Sequence, residues 1–497
     1  VNRSLAFSAT AAGITGATWS GCSGKAAASV VTSTARKGPH GTSAENRQRR
    51  RVGEPQGPED ALKSALLKRV WQRRRLDAAW RSVRANSLSS QSDEVRKGIA
   101  QFEEDSSGRI GSLQHKLSRG HFEFSPARGV AIPKPGKNDV RPIVIARVED
   151  RIVQRALLDV LQDIEVLRSH FRNPYSFGGI KRGQDDELAA VPAAIAAVLQ
   201  AIGAGARFAM CADISAFFTR IPKPRVIEIV GEAVADDEFT AFLQAAIHVE
   251  LSNLAKLRQH ADRFPTGEIG VAQGSSLSPF LGNIVLADFD RRMNAGDCRC
   301  IRYIDDFIIL APTAKAAAAR LSIARDMLGN LGMQCAPGKT SPKPIPIDNR
   351  IEFLGIELHN GLIRPASGAR ARFLGKVRVA FDEGRKALTN YRNGQPLAKA
   401  NALLGTLKRV DGIVQGWGKH YKFCNDVRCF ENLDAELGVL IREYLGLYRD
   451  ERNAAPEARR PAMLGIEMLG TIKRAPLTRP QISSRRSTRR AGAGLTL

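Results

Sequence analysis

The sequence predicts a mixed α/β (α+β) fold in which short buried strands carry acids to one place and amphipathic helices pack around them. Three observations predict it. The stretch Ile301-Arg302-Tyr303-Ile304-Asp305-Asp306-Phe307-Ile308-Ile309-Leu310 sets two carboxylates between two apolar runs, the pattern of a β-hairpin with acids at its tip. Upstream, Arg207 to Phe218 reads as an apolar strand that delivers Asp213 and then Phe217 and Phe218. Between Asp60 and Ala85, residues Ala61, Leu62, Leu66, Leu67, Val70 and Trp71 recur at helical spacing.

Taken in order, the chain opens with Val1 to Ala44, which contains no Asp or Glu and is rich in Ala, Ser, Thr and Gly. That composition suits disorder or a transit peptide better than a packed element. An opening Val where Met is expected suggests an alternative start codon or a start assigned too early. A basic run, Asn46 to Arg51, leads into the Asp60–Ala85 helical segment, whose polar face carries Lys68, Arg69, Arg73, Arg74 and Arg75. Such a face is either solvated or in contact with RNA. Glu149 to Leu157 has the apolar spacing of a buried helix face. Gly270 to Phe280 is a polar, glycine-bearing loop that runs into a helix-compatible segment, Leu281 to Leu286. Ala336-Pro337-Gly338-Lys339 reads as a turn, and Ile351 to Leu358 alternates into a strand. The aromatic group around Trp417 and Tyr421 suits core packing, ahead of a helical stretch from Phe430 to Tyr444. The tail after Glu467 has no acids and includes Arg485, Arg486, Arg489 and Arg490, a basic arm of non-specific affinity.

The acids carry the chemistry. Consecutive side chains of a regular strand point to opposite faces, so Asp305 and Asp306 approach one site only where the chain turns. Asp is also a common turn residue, and taken alone the hairpin tip is equally a solvated turn. With Asp213 as a partner the set suits two divalent ions about 3.5–4 Å apart, which stabilise the attacking and leaving oxygens of an in-line phosphoryl displacement. Mg²⁺ prefers a few carboxylates together with substrate phosphates.

In the order Asp213-x-x-x-Phe217-Phe218, Gln273-Gly274-x-x-x-Ser278-Pro279 and Tyr303-Ile304-Asp305-Asp306, the chain resembles the palm of a reverse transcriptase, in particular the bacterial group II intron-like family. The resemblance covers about residues 60 to 450. It implies a right-hand polymerase with fingers, palm and helical thumb, divided as a disordered basic segment 1–57, N-terminal helices and fingers 58–200, palm 201–365, helical thumb or maturase-like domain 366–452 and basic tail 453–497. Gly129 to Ile143 resembles the fingers hairpin, which makes Lys134 and Arg141, ahead of Lys137, the residues that grip the triphosphate. Phe218 resembles the steric gate under the sugar, with core packing as the plainer alternative. Gln273 and Gly274 would line the nucleotide site. Lys339 either helps protonate pyrophosphate or is a solvated turn residue. Ile351 to Leu358 is similar to the primer grip, where Gly355 would admit the primer backbone. Lys419 and Lys422 would touch template–primer phosphates.

For catalysis the resemblance implies Asp213, Asp305 and Asp306, with the metal held by Asp213, Ile214, Asp305 and Asp306, and two Mg²⁺ ions as cofactors with Mn²⁺ as the substitute. The implied partners are an RNA template, a nucleic-acid primer and dNTPs, with a dedicated non-coding or intron RNA as a further one. Tyr-Ile-Asp-Asp stands where intron enzymes usually carry Tyr-Ala-Asp-Asp, and Asn173 to Gly183 matches their Tyr-Gly-Phe-Arg-Pro segment only loosely. A stand-alone bacterial enzyme of defence, retron-like or diversity-generating type is thus at least as well supported as a mobile-intron protein. Two alternatives stay open: a maturase that acts mainly as an RNA-binding splicing factor, and a defence polymerase that makes untemplated or repetitive DNA.

Composition agrees with a polyanionic partner. The 497 residues carry a formal net charge of +25, and each neutralised phosphate releases counterions. Charge alone does not separate polymerase from binder. No apolar run approaches the ~18 residues of a membrane span, and a cytoplasmic location is expected. Seven scattered cysteines argue against a disulfide framework. Cys298-Arg299-Cys300 lacks the spacing of a zinc pair.

Overall fold

β1 (Arg128–Pro133) and β2 (Val140–Ile145) form an antiparallel hairpin with Arg128 opposite Ile145 and Pro133 opposite Val140. The computed structural model describes residues 64–88, 90, 92–134, 139–179, 190–475 and 477. Lys137, the Asn46–Arg51 run, Asp60 to Leu62, Lys181 to Gly183 and the arginines of the tail lie outside the described residues.

The expected helix over 60–85 is two helices, Ala65–Val70 and Arg73–Leu88, parted at Trp71 and Gln72. The reason is phase. Leu67 and Val70 are buried, and the next buried stripe is Leu76, Ala79, Trp80 and Val83. The step from Val70 to Leu76 is off the helical period, and a break realigns both stripes on one core. Ser64 Oγ accepts from the Leu67 amide at 3.0 Å and caps the first helix. Both helices pack on Val148–Asp163, whose Ile152, Val153, Ala156, Leu157, Val160 and Leu161 are fully buried.

The palm sheet comprises β3 (Phe208–Asp213), β4 (Arg299–Tyr303), β5 (Asp306–Ala311) and the short β6 (Ile345–Pro346), in the order β4-β5-β3-β6. Both faces are covered, so its strands read as continuous apolar runs rather than alternating ones. Met210, Ala212, Cys300, Phe307 and Ile309 join the main core, which includes helices Ser278–Val285, Ala287–Met293 and Ala314–Asn330. Ala209, Ile301, Ile308 and Leu310 turn the other way, onto the helix Val191–Gly203. The helix after the Gln-Gly loop begins at Ser278, three residues before the expected Leu281, because proline is tolerated in the first turn, where its missing N–H has no partner to lose.

The stretch expected as one strand, 351–358, is β7 (Ile351–Phe353) and β8 (Ile356–His359), joined by a two-residue turn and followed by β9 (Leu362–Pro365). Leu354 and Gly355 both take positive φ, +54° and +73°, the requirement of a type I′ hairpin turn. Beyond them three long helices, Ser367–Arg392, Leu403–Tyr421 and Val427–Ala454, form the thumb. Trp417 lies between Phe373 and Tyr421, with ring centroids 4.6 and 4.5 Å away, so both expected aromatics are packing residues. Lys419 and Lys422 are exposed. The architecture is the mixed helix-and-sheet fold that the sequence predicts.

Candidate active site

The site is built where β3 ends and the β4–β5 hairpin turns. Tyr303 pairs with Asp306, so the turn is Ile304-Asp305 and only Asp305 sits at its tip; Asp306 is already the first residue of β5. Across the sheet Asp306 stands opposite Asp213. The Ile214 amide donates to the Asp305 carbonyl at 2.9 Å, which ties the tip to the strand carrying Asp213. The fold thus gathers Asp213, Asp305 and Asp306, with Ile214 beside them.

Electrostatics at this corner are unfavourable without a counter-charge. Burial first, and then the charges of Asp305 and Asp213, push Asp306 up to about 7. Burial and then Asp213 likewise raise Asp305, against the opposing pull of Lys339 and Arg302. Lys339 is brought here as well: its ammonium donates to the Asp213 carboxylate. Partial burial disfavours that charge, but the hydrogen bond and charge of Asp213, with Asp306 and Asp305 beyond, more than offset it and raise Lys339.

A carboxylate set with Asp213 buried and Asp305 and Asp306 half-buried, repelling itself, is a donor set for a hard divalent cation, so the residues present fit Mg²⁺. Among the described residues no three His, Cys, Asp or Glu side chains form a ready-made cage. Mg²⁺ does not need one, since it keeps waters and takes ligands from substrate phosphates.

The other expected residues connect through backbone bonds. Phe217 is buried against the core, its ring filling the space a Cβ on Gly282 would need, whereas Phe218 is only half-buried. The Val271 amide donates to the Phe218 carbonyl at 2.7 Å, and the Val144 amide of β2 donates to the Gln273 carbonyl at 2.9 Å. Gly274 has φ +117°, and a Cβ there would lie 2.9 Å from the Val144 carbonyl oxygen. The Gln273–Gly274 segment therefore bridges the Phe218 turn and the fingers hairpin. Beside it a cavity of about 550 Å³ is lined by Val130, Ile143, Gly274, Ser275 and Asp150. In the hairpin, Lys134 Nζ lies 2.5 Å from Asp139 Oδ2, while Arg141, two residues before the Ile143 bridge to Gln273, is exposed. No described contact joins Lys134 or Arg141 to the aspartates. On the outer helices Arg75 and Arg69 pair with Asp163 at 2.8 and 3.7 Å, and Arg73 with Asp77 at 3.1 Å, so part of that basic face is engaged within the chain.

Sequence reasoning missed Arg302 and Asp290. Both are fully buried, and Arg302 Nε donates to Asp290 Oδ1 at 2.6 Å. The available signal was an arginine enclosed by apolar residues in a buried strand.

Residues 132–358 match the family model described as "Reverse transcriptase (RNA-dependent DNA polymerase)". Protein YkfC of Escherichia coli is 29% identical over 185 residues, covering 37% of this chain and 44% of YkfC. An uncharacterized 91 kDa protein in the cob intron of Schizosaccharomyces pombe is 27% identical over 184 residues, covering 36% of this chain and 20% of that protein. The chain thus spans less than half the length of these curated relatives. Among solved structures, a chain of a partial Cas6-RT-Cas1–Cas2 complex aligns with 55% of this chain and 44% of its own, at 19% identity and a TM-score of 0.31.

Proposed function

Residues 132–358 belong to the reverse transcriptase family, and from that premise we propose that the chain is an RNA-directed DNA polymerase that extends a nucleic-acid primer with dNTPs. The observation that carries the reading is the juxtaposition of Asp213 and Asp306 across β3 and β5, with Asp305 at the adjoining turn. The primer 3′-oxygen attacks the α-phosphorus of the dNTP, a new P–O bond forms, and the bond to the β-phosphate breaks so that pyrophosphate leaves.

Asp213 and Asp305, with Asp306 in support and the Ile214 carbonyl beside them, would hold two Mg²⁺ ions, or Mn²⁺ in their place. Bound there, the ions supply positive charge to the attacking and leaving oxygens. Gln273 and Gly274 line the nucleotide site, and Gly274 lets the backbone come close because no side chain intervenes. Lys134 and Arg141 grip the triphosphate. Phe218, half-buried beside the buried Phe217, would lie under the sugar and select against a 2′-hydroxyl. Lys339, kept charged by Asp213, supplies a proton to the leaving pyrophosphate. The template is RNA, in keeping with the family and with the +25 charge. A second reading, an RNA-binding splicing factor, is favoured by the intron-encoded relative.

The test is dNTP incorporation on oligo(dT)-primed poly(rA) with Mg²⁺, comparing the wild-type chain with the Asp305→Ala, Asp306→Ala double variant. Incorporation by the wild type and its loss in the variant support the polymerase. RNA binding without incorporation by the wild type overturns it in favour of the splicing-factor reading.

A further inference from the structure

Asp305 is flanked by two peptide groups, and each is anchored by a different element. The peptide after it is fixed by the Ile214 amide, which donates to the Asp305 carbonyl at 2.9 Å. The peptide before it carries the Ile304 carbonyl, which accepts from Arg302 Nη1 at 2.9 Å. The remaining nitrogens of the same guanidinium close on Asp290, Nε on Oδ1 and Nη2 on Oδ2. Arg302 and Asp290 side chains are 0% and 1% exposed, so neither is a surface pair.

Ile304 explains why such an anchor is needed. Its φ is +59°, a conformation that a β-branched residue adopts only under constraint. At the first position of a two-residue hairpin turn this is where glycine is normally found. The turn is braced from the other side by Gly178, since a Cβ there would lie 2.4 Å from Ile304 Cγ1. The segment around Gly178 is itself stitched to the same place. The Arg302 amide donates to the Tyr175 carbonyl at 2.8 Å, its carbonyl accepts from the Phe177 amide at 3.0 Å, and Asn173 Nδ2 donates to Asp290 Oδ2 at 3.0 Å.

We propose that the buried Arg302–Asp290 pair is a positioning device for the metal-binding turn: it holds the Ile304 carbonyl, and through that peptide sets the direction in which Asp305 presents its carboxylate. The inference rests on the polymerase reading for its rate effect, and on Asp305 as a metal ligand for its binding effect. Asp290 acts at one remove, by orienting the guanidinium so that Nη1 faces Ile304. A hydrophobic pair of similar volume would preserve the core, because buried ion pairs are often replaceable by packed apolar side chains. It would leave the Ile304 carbonyl without its donor.

The experiment therefore uses the full chain with Arg302→Met and Asp290→Leu combined, alongside the single Arg302→Lys variant, which keeps a charge opposite Asp290 but has no fork to reach both partners. Thermal melting establishes that the variants fold. Three quantities are then read: Mn²⁺ affinity by electron paramagnetic resonance without nucleic acid, the Mg²⁺ concentration for half-maximal incorporation, and kcat and KM for dNTP. The expected result is a weakening of Mn²⁺ binding and a rise in half-maximal Mg²⁺, each about fivefold or more. We also expect a tenfold or greater fall in kcat with KM for dNTP nearly unchanged, and an intermediate effect for Arg302→Lys. A folded double variant with wild-type Mn²⁺ affinity overturns the proposal whether or not the chain polymerises. Weakened Mn²⁺ binding in a chain whose wild type incorporates nothing would uphold the positioning role and sink the polymerase reading.

Discussion

Asp213 and Asp306 face each other across the antiparallel ladder of β3 and β5. Like charges directly opposite destabilise a sheet, and here burial adds to the cost, as the upward displacement of Asp306 to about 7 records. Lys339 relieves Asp213 on one side. The arrangement trades local stability for a focus of negative charge at a single corner of the palm.

A divalent cation should accordingly stabilise the fold. Mg²⁺ is expected to raise the melting temperature of the wild-type chain by a few degrees, because it binds the native carboxylates and not the dispersed ones of the unfolded chain. Asp213→Asn combined with Asp306→Asn should melt at or above the metal-free wild type and ignore Mg²⁺. Equal Mg²⁺ shifts in the two proteins, measured by calorimetry, would show that the ion acts elsewhere.

Phe218 differs from its neighbour in exposure, and the difference matters for sugar selection. Phe217 is 2% exposed, so its substitution is a folding experiment. Phe218 is half-buried, and Phe218→Val should leave folding intact while raising kcat/KM for ribonucleotides relative to dNTPs by roughly tenfold or more, the removed ring no longer opposing the 2′-hydroxyl. Steady-state incorporation of each nucleotide is the measurement. An unchanged ratio would return Phe218 to the core.

Asp150, which lines the cavity beside Gly274, supplies a pH dependence of its own. It is 2% exposed and accepts one bond, from the Ser125 amide at 3.2 Å; burial lifts it from 3.8 to about 6. The native chain therefore holds a proton that the unfolded chain has already released. The sign follows: stability is greatest below about 4, falls as pH rises towards 6, and stays lower above it. Asp150→Asn keeps an acceptor for Ser125 and removes the charge. It should match the wild type near pH 4 and exceed it near pH 8 by about 1–2 kcal/mol, read from urea denaturation at each pH. Parallel pH profiles for the two proteins would show that Asp150 is ionised without penalty.

The three aspartates were legible because apolar runs flank them, and apolar runs are what buried strands need. Lys339 was legible as a turn residue but not as the partner of Asp213, since only the fold brings together residues 126 positions apart. Arg302 lay in plain view within the most informative ten residues, yet its meaning depends on Asp290 from the preceding helix. The turn at Leu354 and Gly355 was hidden because a two-residue turn preserves the apolar alternation on either side. Gly274 was legible as a nucleotide-site residue only through the resemblance. Its necessity comes from the Val144 carbonyl, which the sequence places 130 positions away.

Arg364 links the palm's last sheet to the thumb, and its loss should separate two properties of polymerisation. On β9 it stands opposite Glu357 of β8, and its Nε donates to Glu357 Oε1 at 2.8 Å. Its Nη1 donates to Asp426 Oδ2 at 3.2 Å. Asp426 in turn caps the helix Val427–Ala454 by accepting from the Cys429 amide at 3.1 Å. The neighbouring Asn425 side chain accepts from the Ile363 amide, so the sheet and the helix start are joined at two adjacent residues. Glu357 is 2% exposed and keeps a second partner in Arg350 at 3.0 Å, which holds the cost of Arg364→Leu below the roughly 3–5 kcal/mol of leaving a buried charge with no partner. The variant should therefore fold. It should add a single nucleotide at close to the wild-type rate, because Asp213, Asp305 and Asp306 are untouched. With a trap that captures released enzyme, its products should be severalfold shorter, because the helices from Ser367 onward no longer hold a fixed angle to the sheet that resembles a primer grip. Wild-type product lengths under the trap would mean that packing of Trp417 and Tyr421 fixes the thumb without the ionic link.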